Sequence, residues 1–220
     1  MTAEVGAMAL STRGIARQYL GVTGRIGVRS ALLGISAVQG GALRQRLVSL
    51  ARQDIAFARS ECVFGWNVAY QQTWSSIWVR VRLNPDAGIT AATMTTLRTT
   101  WENGIRAAWN NRWGLGRAGE GTCPLEIGVD WVTVDPHQTV RVRTGPGRTD
   151  MGTWDTQDTG NVIGHEFGHM LGHPDEYTDA NCPARNPVNT GTVMDTNSTT
   201  VPQRMMTAFA NNVGSQVVAL

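Results

Sequence analysis

The chain contains no lysine: all 19 of its basic residues are arginine. A genome rich in G and C accounts for this most simply, and such a chain offers no target to lysine-directed modification. A charge excess is also missing, because 17 acidic residues nearly balance the arginines and leave a net charge of +2. Without a clustered basic surface and a recognisable module, nucleic acid is not an expected partner. No long apolar run exists. The most apolar stretch, Ala31 to Val38, is too short to span a bilayer and is flanked by Arg29 and Arg44, so no transmembrane segment is expected. Nor does the start read as a secretory signal, since Glu4 comes first and Arg13 and Arg17 interrupt the apolar residues.

What is present fits one enzyme-sized core preceded by an extension. An apolar content of 41% over 220 residues suffices to bury a core. Charge divides the chain: eight arginines face two acids in residues 1–60, whereas the remainder carries 11 arginines and 15 acids. We therefore read 1–60 as an Arg/Gly-rich arm and 61–220 as the main folded domain. Glycines from Gly21 to Gly41 interrupt the arm, and an amphipathic stretch follows from about Ala42 to Arg59. The arm reads as a pro-segment, a dock for a partner or export machinery, or a helical addition to the core.

The domain reads as α+β. Ile77, Val79, Val81 and Leu83 alternate with Trp78, Arg80 and Arg82, which predicts a strand with one buried face. A turn at Asn84 to Gly88 leads to Thr90, a helix cap, and to apolar residues at helical steps from Met94 to Ala108, ending near Gly114. Leu125, Ile127, Val129 and Trp131 predict a second strand, and Val140 and Val142 a third. Trp101, Trp109 and Trp113 are placed on the one helix as core residues.

Three of the four histidines lie in the run Gly164-His-Glu-Phe-Gly-His-Met-Leu-Gly-His-Pro-Asp-Glu-Tyr177. On a helix capped by Asp158 or Thr159, His165 and His169 stand one turn apart and can offer imidazole nitrogens to one metal ion. Glu166 is then beside that metal, placed to take a proton from an activated water. Gly172 can adopt a positive φ that ends the helix and turns the chain back, which makes Asp175 a candidate third ligand. His173 and Glu176 compete for that place.

This pattern resembles the long signature of the metzincin zinc endopeptidases, His-Glu-x-x-His-x-x-Gly-x-x-Asp, in its snapalysin-like form. The resemblance covers about Trp74 to Asn212. It implies a twisted mixed sheet with a long backing helix, a zinc helix, and a small C-terminal subdomain. It further implies zinc held by His165, His169 and Asp175, with Glu166 as general base. Thr192-Val193-Met194-Asp195 resembles the Met-turn, which puts Met194 beneath the metal as a non-ligand. Tyr177 stands in for a transition-state tyrosine, because the usual Met-turn position holds Thr196. The family's substrate-pairing edge strand corresponds to Arg148–Asp155, with Asp150, Met151, Gly152 and Thr153 as the candidates.

Of three cysteines, Cys182 follows the motif and Cys123 precedes the second strand, so a Cys123–Cys182 disulfide is expected outside the cytoplasm, with Cys62 left over. His137, the histidine outside the motif, reads as structural. After the Met-turn, Pro202 opens a helix whose Met205, Met206 and Phe209 complete the core. The expected activity is zinc-dependent hydrolysis of protein or peptide substrates, in a chain exported without a recognisable signal peptide or retained in the cytoplasm. The reading from a different class is a zinc-stabilised docking module, or effector cargo, without turnover.

Overall fold

A computed structural model describes residues 52–118 and 121–220. In chain order its elements are β1 (Gln53–Glu61), β2 (Phe64–Gln72), β3 (Ser76–Pro85), α1 (Ala91–Trp109), β4 (Trp113–Arg117), β5 (Gly121–Pro124), β6 (Glu126–Trp131), β7 (Gln138–Arg143) and β8 (Thr153–Asp155). There follow α2 (Gly160–Met170), the short α3 (Val193–Thr196), a 3-10 turn (Gln203–Met206), α4 (Thr207–Asn212) and β9 (Gln216–Ala219). Strands and helices mix as α+β.

β3 is the hub of a six-stranded mixed sheet. It pairs antiparallel with β2 at Trp78 and Ile77 and parallel with both β6 and β7, while β8 runs parallel beside β7 and β1 flanks β2. The alternating residues of β3 do what their period requires: Ile77, Val79, Val81 and Leu83 are buried. A second, antiparallel sheet has the order β5-β4-β9.

α1 fixes the position of α2. Gly104 on α1 meets Gly160 so closely that a Cβ there would lie 2.1 Å from the Gly160 carbonyl oxygen, so only glycine allows this crossing. Two indoles of α1 then donate across the contact, Trp101 Nε1 to the Asp158 carbonyl at 3.2 Å and Trp109 Nε1 to the Gly164 carbonyl at 2.9 Å. Both rings are buried, and truncating either to Ala removes about 3–5 kcal/mol of packing.

Several expectations are corrected. The helix stops at Trp109, because the Asn110 side chain pairs with both the amide (2.7 Å) and the carbonyl (3.0 Å) of Ile127 and Asn111 takes a φ of 64°. Trp113 therefore belongs to β4. The sheet starts at Gln53, ahead of the boundary expected at 61, so the end of the amphipathic stretch from Ala42 to Arg59 is strand and not helix. The chain divides into units at 1–53 and 54–220. The arm up to residue 51, with its roles in docking, inhibition or export, lies outside the described residues. Thr90 caps α1 as expected, accepting from the Thr93 amide at 3.1 Å. Among the described residues, no helix is long and apolar enough to cross a membrane.

Candidate metal centre

Thr159 caps α2, its hydroxyl accepting from the Val162 amide. Asp158, the other cap candidate, holds the Thr149 hydroxyl at 2.8 Å and the Asp155 amide at 2.6 Å. Ile163, Phe167 and Met170 bury the core face of α2, leaving His165, Glu166 and His169 on the face toward a cleft of about 230 Å³. After Leu171 the chain reverses at Gly172, whose φ of 96° suits glycine alone.

Each imidazole is oriented by a backbone carbonyl. His165 Nδ1 donates to the Val193 carbonyl at 2.8 Å, and His169 Nδ1 to the His173 carbonyl at 2.8 Å. A carbonyl only accepts, so Nδ1 carries the proton and the lone pair of each neutral ring sits on Nε2. Both Nε2 atoms meet Asp175 Oδ1, at 3.1 and 3.2 Å. Three such atoms this close need a proton or a metal ion between them. Ligands about 2.1 Å from a tetrahedral zinc stand about 3.4 Å apart, so the spacing and the donor set fit zinc. His165, His169 and Asp175 are the one cluster among the described residues suited to hold a metal ion.

The carboxyl groups around the cleft differ by environment. Burial would raise Asp175, but in the metal-free site protons in place of a metal ion let His165 and His169, with Tyr177, donate to it and hold this carboxyl well below the usual range. Glu166, on α2, is buried without such donors, and desolvation pushes its carboxyl up despite the neighbouring histidines. Burial, with the Asp175 carboxylate, pushes the Tyr177 phenol up to about 12. Its hydroxyl is already given to Asp175, and its ring stacks on His165 at 6.5 Å. Tyr177 thus orients a candidate ligand, a partner the expected transition-state role had not included.

The two rival ligands turn elsewhere. The His173 ring stacks on Trp109 at 5.3 Å and meets Phe209 edge-on, and burial lowers its pKa to about 3. Only its carbonyl serves the site. Glu176 is outside the cluster of His165, His169 and Asp175 and accepts from Thr190 (2.6 Å), Thr192 (2.7 Å) and both terminal nitrogens of Arg204. Its amide also donates to the Met194 carbonyl at 2.7 Å, tying the ligand loop to the segment beneath it. Met194 is fully buried, with its sulfur so near α2 that a Cβ on Gly168 would lie 2.3 Å away.

Glu176 permits a pH test. Burial alone would raise its carboxyl, but Arg204 and the threonine hydroxyls outweigh that and hold it below its ordinary value of 4.5. A lowered folded pKa means stability that is fully present above the unfolded value and lost as pH falls through the folded one. Glu176→Gln is expected to cost about 2 kcal/mol at pH 7, less than a fully buried pair because the Arg204 side chain is 45% exposed. In urea unfolding, the gap between wild type and variant should shrink below about pH 4.5; a gap constant from pH 7 to pH 3 would contradict the assignment.

The expected Cys123–Cys182 disulfide is not formed. Cys182 bonds to Cys62 at the tip of the β1–β2 hairpin, with Cα atoms 5.4 Å apart, and Cys123 is free. The reason is placement: Cys123 lies on β5 of the small sheet opposite Leu115, whereas the hairpin tip borders the cleft. The bridge holds the tip beside Arg185, a residue without any sequence signal. Arg185, 1% exposed, bonds Glu61 at 2.8 Å and the Tyr177 carbonyl at 2.9 Å, lies over the Tyr177 ring and stands 3.6 Å from Asp175 Oδ2. Phe64 and Trp66 were likewise unforeseen in the cleft wall; Trp66 Nε1 donates to the His169 carbonyl at 2.9 Å.

Within the expected edge segment Arg148–Asp155, only Thr153–Asp155 is strand, β8 at the end of the sheet. Asp150 and Met151 line the cleft with His165, Glu166, His169 and Asp175, but Gly152 and Thr153 do not. Asp150 to Thr153 form a tight turn, not an extended edge, because Asp150 and Thr153 exchange both backbone hydrogen bonds, at 3.0 and 3.2 Å.

Compared with known proteins, the chain matches no family model, no curated protein and no solved structure.

Proposed function

We propose that the chain is a metzincin-like zinc endopeptidase. The observation that carries this reading is the convergence of His165 Nε2, His169 Nε2 and Asp175 Oδ1, each histidine fixed from behind by a backbone carbonyl, beside a buried glutamate that none of them uses. Outer contacts of that kind are what metal-binding histidines need to hold one tautomer and one orientation. Three protein ligands with an open side suit a catalytic zinc better than a structural one, which closes on four.

When bound, zinc supplies a Lewis acid that polarises a carbonyl and makes water acidic near neutral pH. The protein's own groups do the rest. Glu166 takes the proton from the attacking water and returns it to the departing amine, a transfer eased by burial that brings its carboxyl toward the working pH. Tyr177 and Arg185 hold the Asp175 carboxylate. The small C-terminal segment supports the site from below through Val193 and Met194.

The test is direct. Purified protein should carry about one zinc ion per chain and cut an unfolded protein substrate. A chelator should stop cleavage and added zinc restore it. Cleavage that persists after complete zinc removal would refute the reading.

A further inference from the structure

We infer that an extended peptide is gripped by strand addition to β2 at Gly65, across the cleft from the turn at Asp150. The inference rests on the peptidase reading above and assigns its backbone-binding edge. β8 ends the sheet and is the first edge to consider, but its own chain seals it. The backbone of Thr153 is taken by Asp150; the Asp155 amide donates to the Asp158 carboxylate at 2.6 Å, and the Asp155 carbonyl accepts from the Asp158 amide at 3.1 Å. No amide or carbonyl on that side of β8 is left for a substrate strand.

β2 offers what β8 does not. The two-residue turn Cys62–Val63, in which Cys62 has a φ of 52°, makes Glu61 and Phe64 the closing pair of the hairpin. In an antiparallel ribbon the pairs alternate, so if Phe64 exchanges hydrogen bonds with β1, Gly65 turns its N–H and C=O to the outer edge. Two contacts further along β2 check this register. The Asn67 carbonyl, two residues on, accepts from Gln138 Nε2 at 2.8 Å on that outer side, and Gln71 pairs with Trp78 of β3 there.

Gly65 lines the metal cleft, and the pairing of β2 with β3 is confined to Gln71 and Gln72, so β3 does not pair with Gly65. A Cβ built on Gly65 finds only the Arg59 carbonyl within 4 Å, at 3.8 Å, so the glycine leaves room for a second backbone. The tip is held at two adjacent residues, by the Cys62–Cys182 disulfide and by Glu61 on Arg185, so the edge is set before substrate arrives. Such an edge binds backbone and ignores most side chains. The substrate class is an extended, locally unfolded peptide segment.

Gly65→Pro removes the outward amide while leaving the inward ladder of β2 intact, the one strand position where proline is tolerated. With the zinc-loaded full chain and a peptide that wild type cleaves, KM should rise about tenfold with kcat little changed, the signature of lost uniform binding. Zinc content and melting temperature establish whether the variant is folded. Amide hydrogen exchange on wild type with a bound peptide hydroxamate gives a second readout: protection should rise at Gly65 and stay unchanged at Thr153 and Asp155. An unchanged KM in folded Gly65→Pro, or no added protection at Gly65, overturns the assignment and leaves the peptidase reading standing. If zinc-loaded wild type neither cleaves nor binds any peptide, both fall.

Discussion

Glu166→Gln is expected to keep its zinc and its fold while losing at least about a hundredfold in kcat, the lower end of what a positioned general base contributes. The substitution keeps the size of the side chain and nearly its shape, but an amide takes up no proton at neutral pH. Glu166 supplies none of the atoms that would hold the metal, and it lines the same cleft. Metal content therefore should not move. Removing a carboxyl that burial disfavours is expected to leave the metal-free protein as stable as wild type or more so. Zinc analysis, melting temperature and kcat on one peptide decide the matter together. Cleavage at the wild-type rate would show that another group is the base, and a zinc-replete wild type inactive against a broad peptide library would return the chain to the docking-module reading.

How much of this was legible in the sequence depends on how local each feature is. His165, Glu166 and His169 were readable because helical spacing alone puts them on one face, and Gly172 announced the reversal that brings Asp175 back. Asp175 and Glu176 were harder to tell apart. In the irregular segment after Gly172, Asp175 joins the histidines, whereas its neighbour Glu176 anchors Thr190, Thr192 and Arg204. No local pattern says which side faces the metal.

Tertiary partners stayed hidden for the same reason. Cys182 chose Cys62 over Cys123 because the β1–β2 hairpin folds over the cleft, and β1 itself, with Asp54, Arg59 and Glu61 among its nine residues, alternates too weakly to stand out. β4 (WGLGR) and β5 (GTCP) are short and glycine-bearing and show no strand period of their own, so Trp113 and Gly114 read as the end of the preceding helix. The strand β3 and helix α1 were plain, since each carries a buried stripe at its own period along its whole length. The sealing of β8 by Asp150 and Asp158 is a matter of hydrogen-bond accounting that only coordinates reveal.

The largest expected effect on the metal comes from His165→Ala, His169→Ala and Asp175→Ala, each of which should lower zinc affinity more than about a hundredfold, beyond the 10- to 100-fold typical of supporting residues. Each removes one of only three protein ligand atoms, and the cluster offers no replacement within reach. His173→Ala separates a ligand from a neighbour. Its ring lies against Trp109 and Phe209, and only its carbonyl reaches His169, so the alanine variant keeps that hydrogen bond and should hold zinc with nearly wild-type affinity. The cost there is packing, about 2–4 kcal/mol for emptying a buried aromatic site, read as a lower urea midpoint. Isothermal titration of the metal-free proteins with zinc measures all four. If His173→Ala loses zinc while Asp175→Ala keeps it, the third ligand is His173, and the loop from Gly172 to Tyr177 must then turn its other face to the metal.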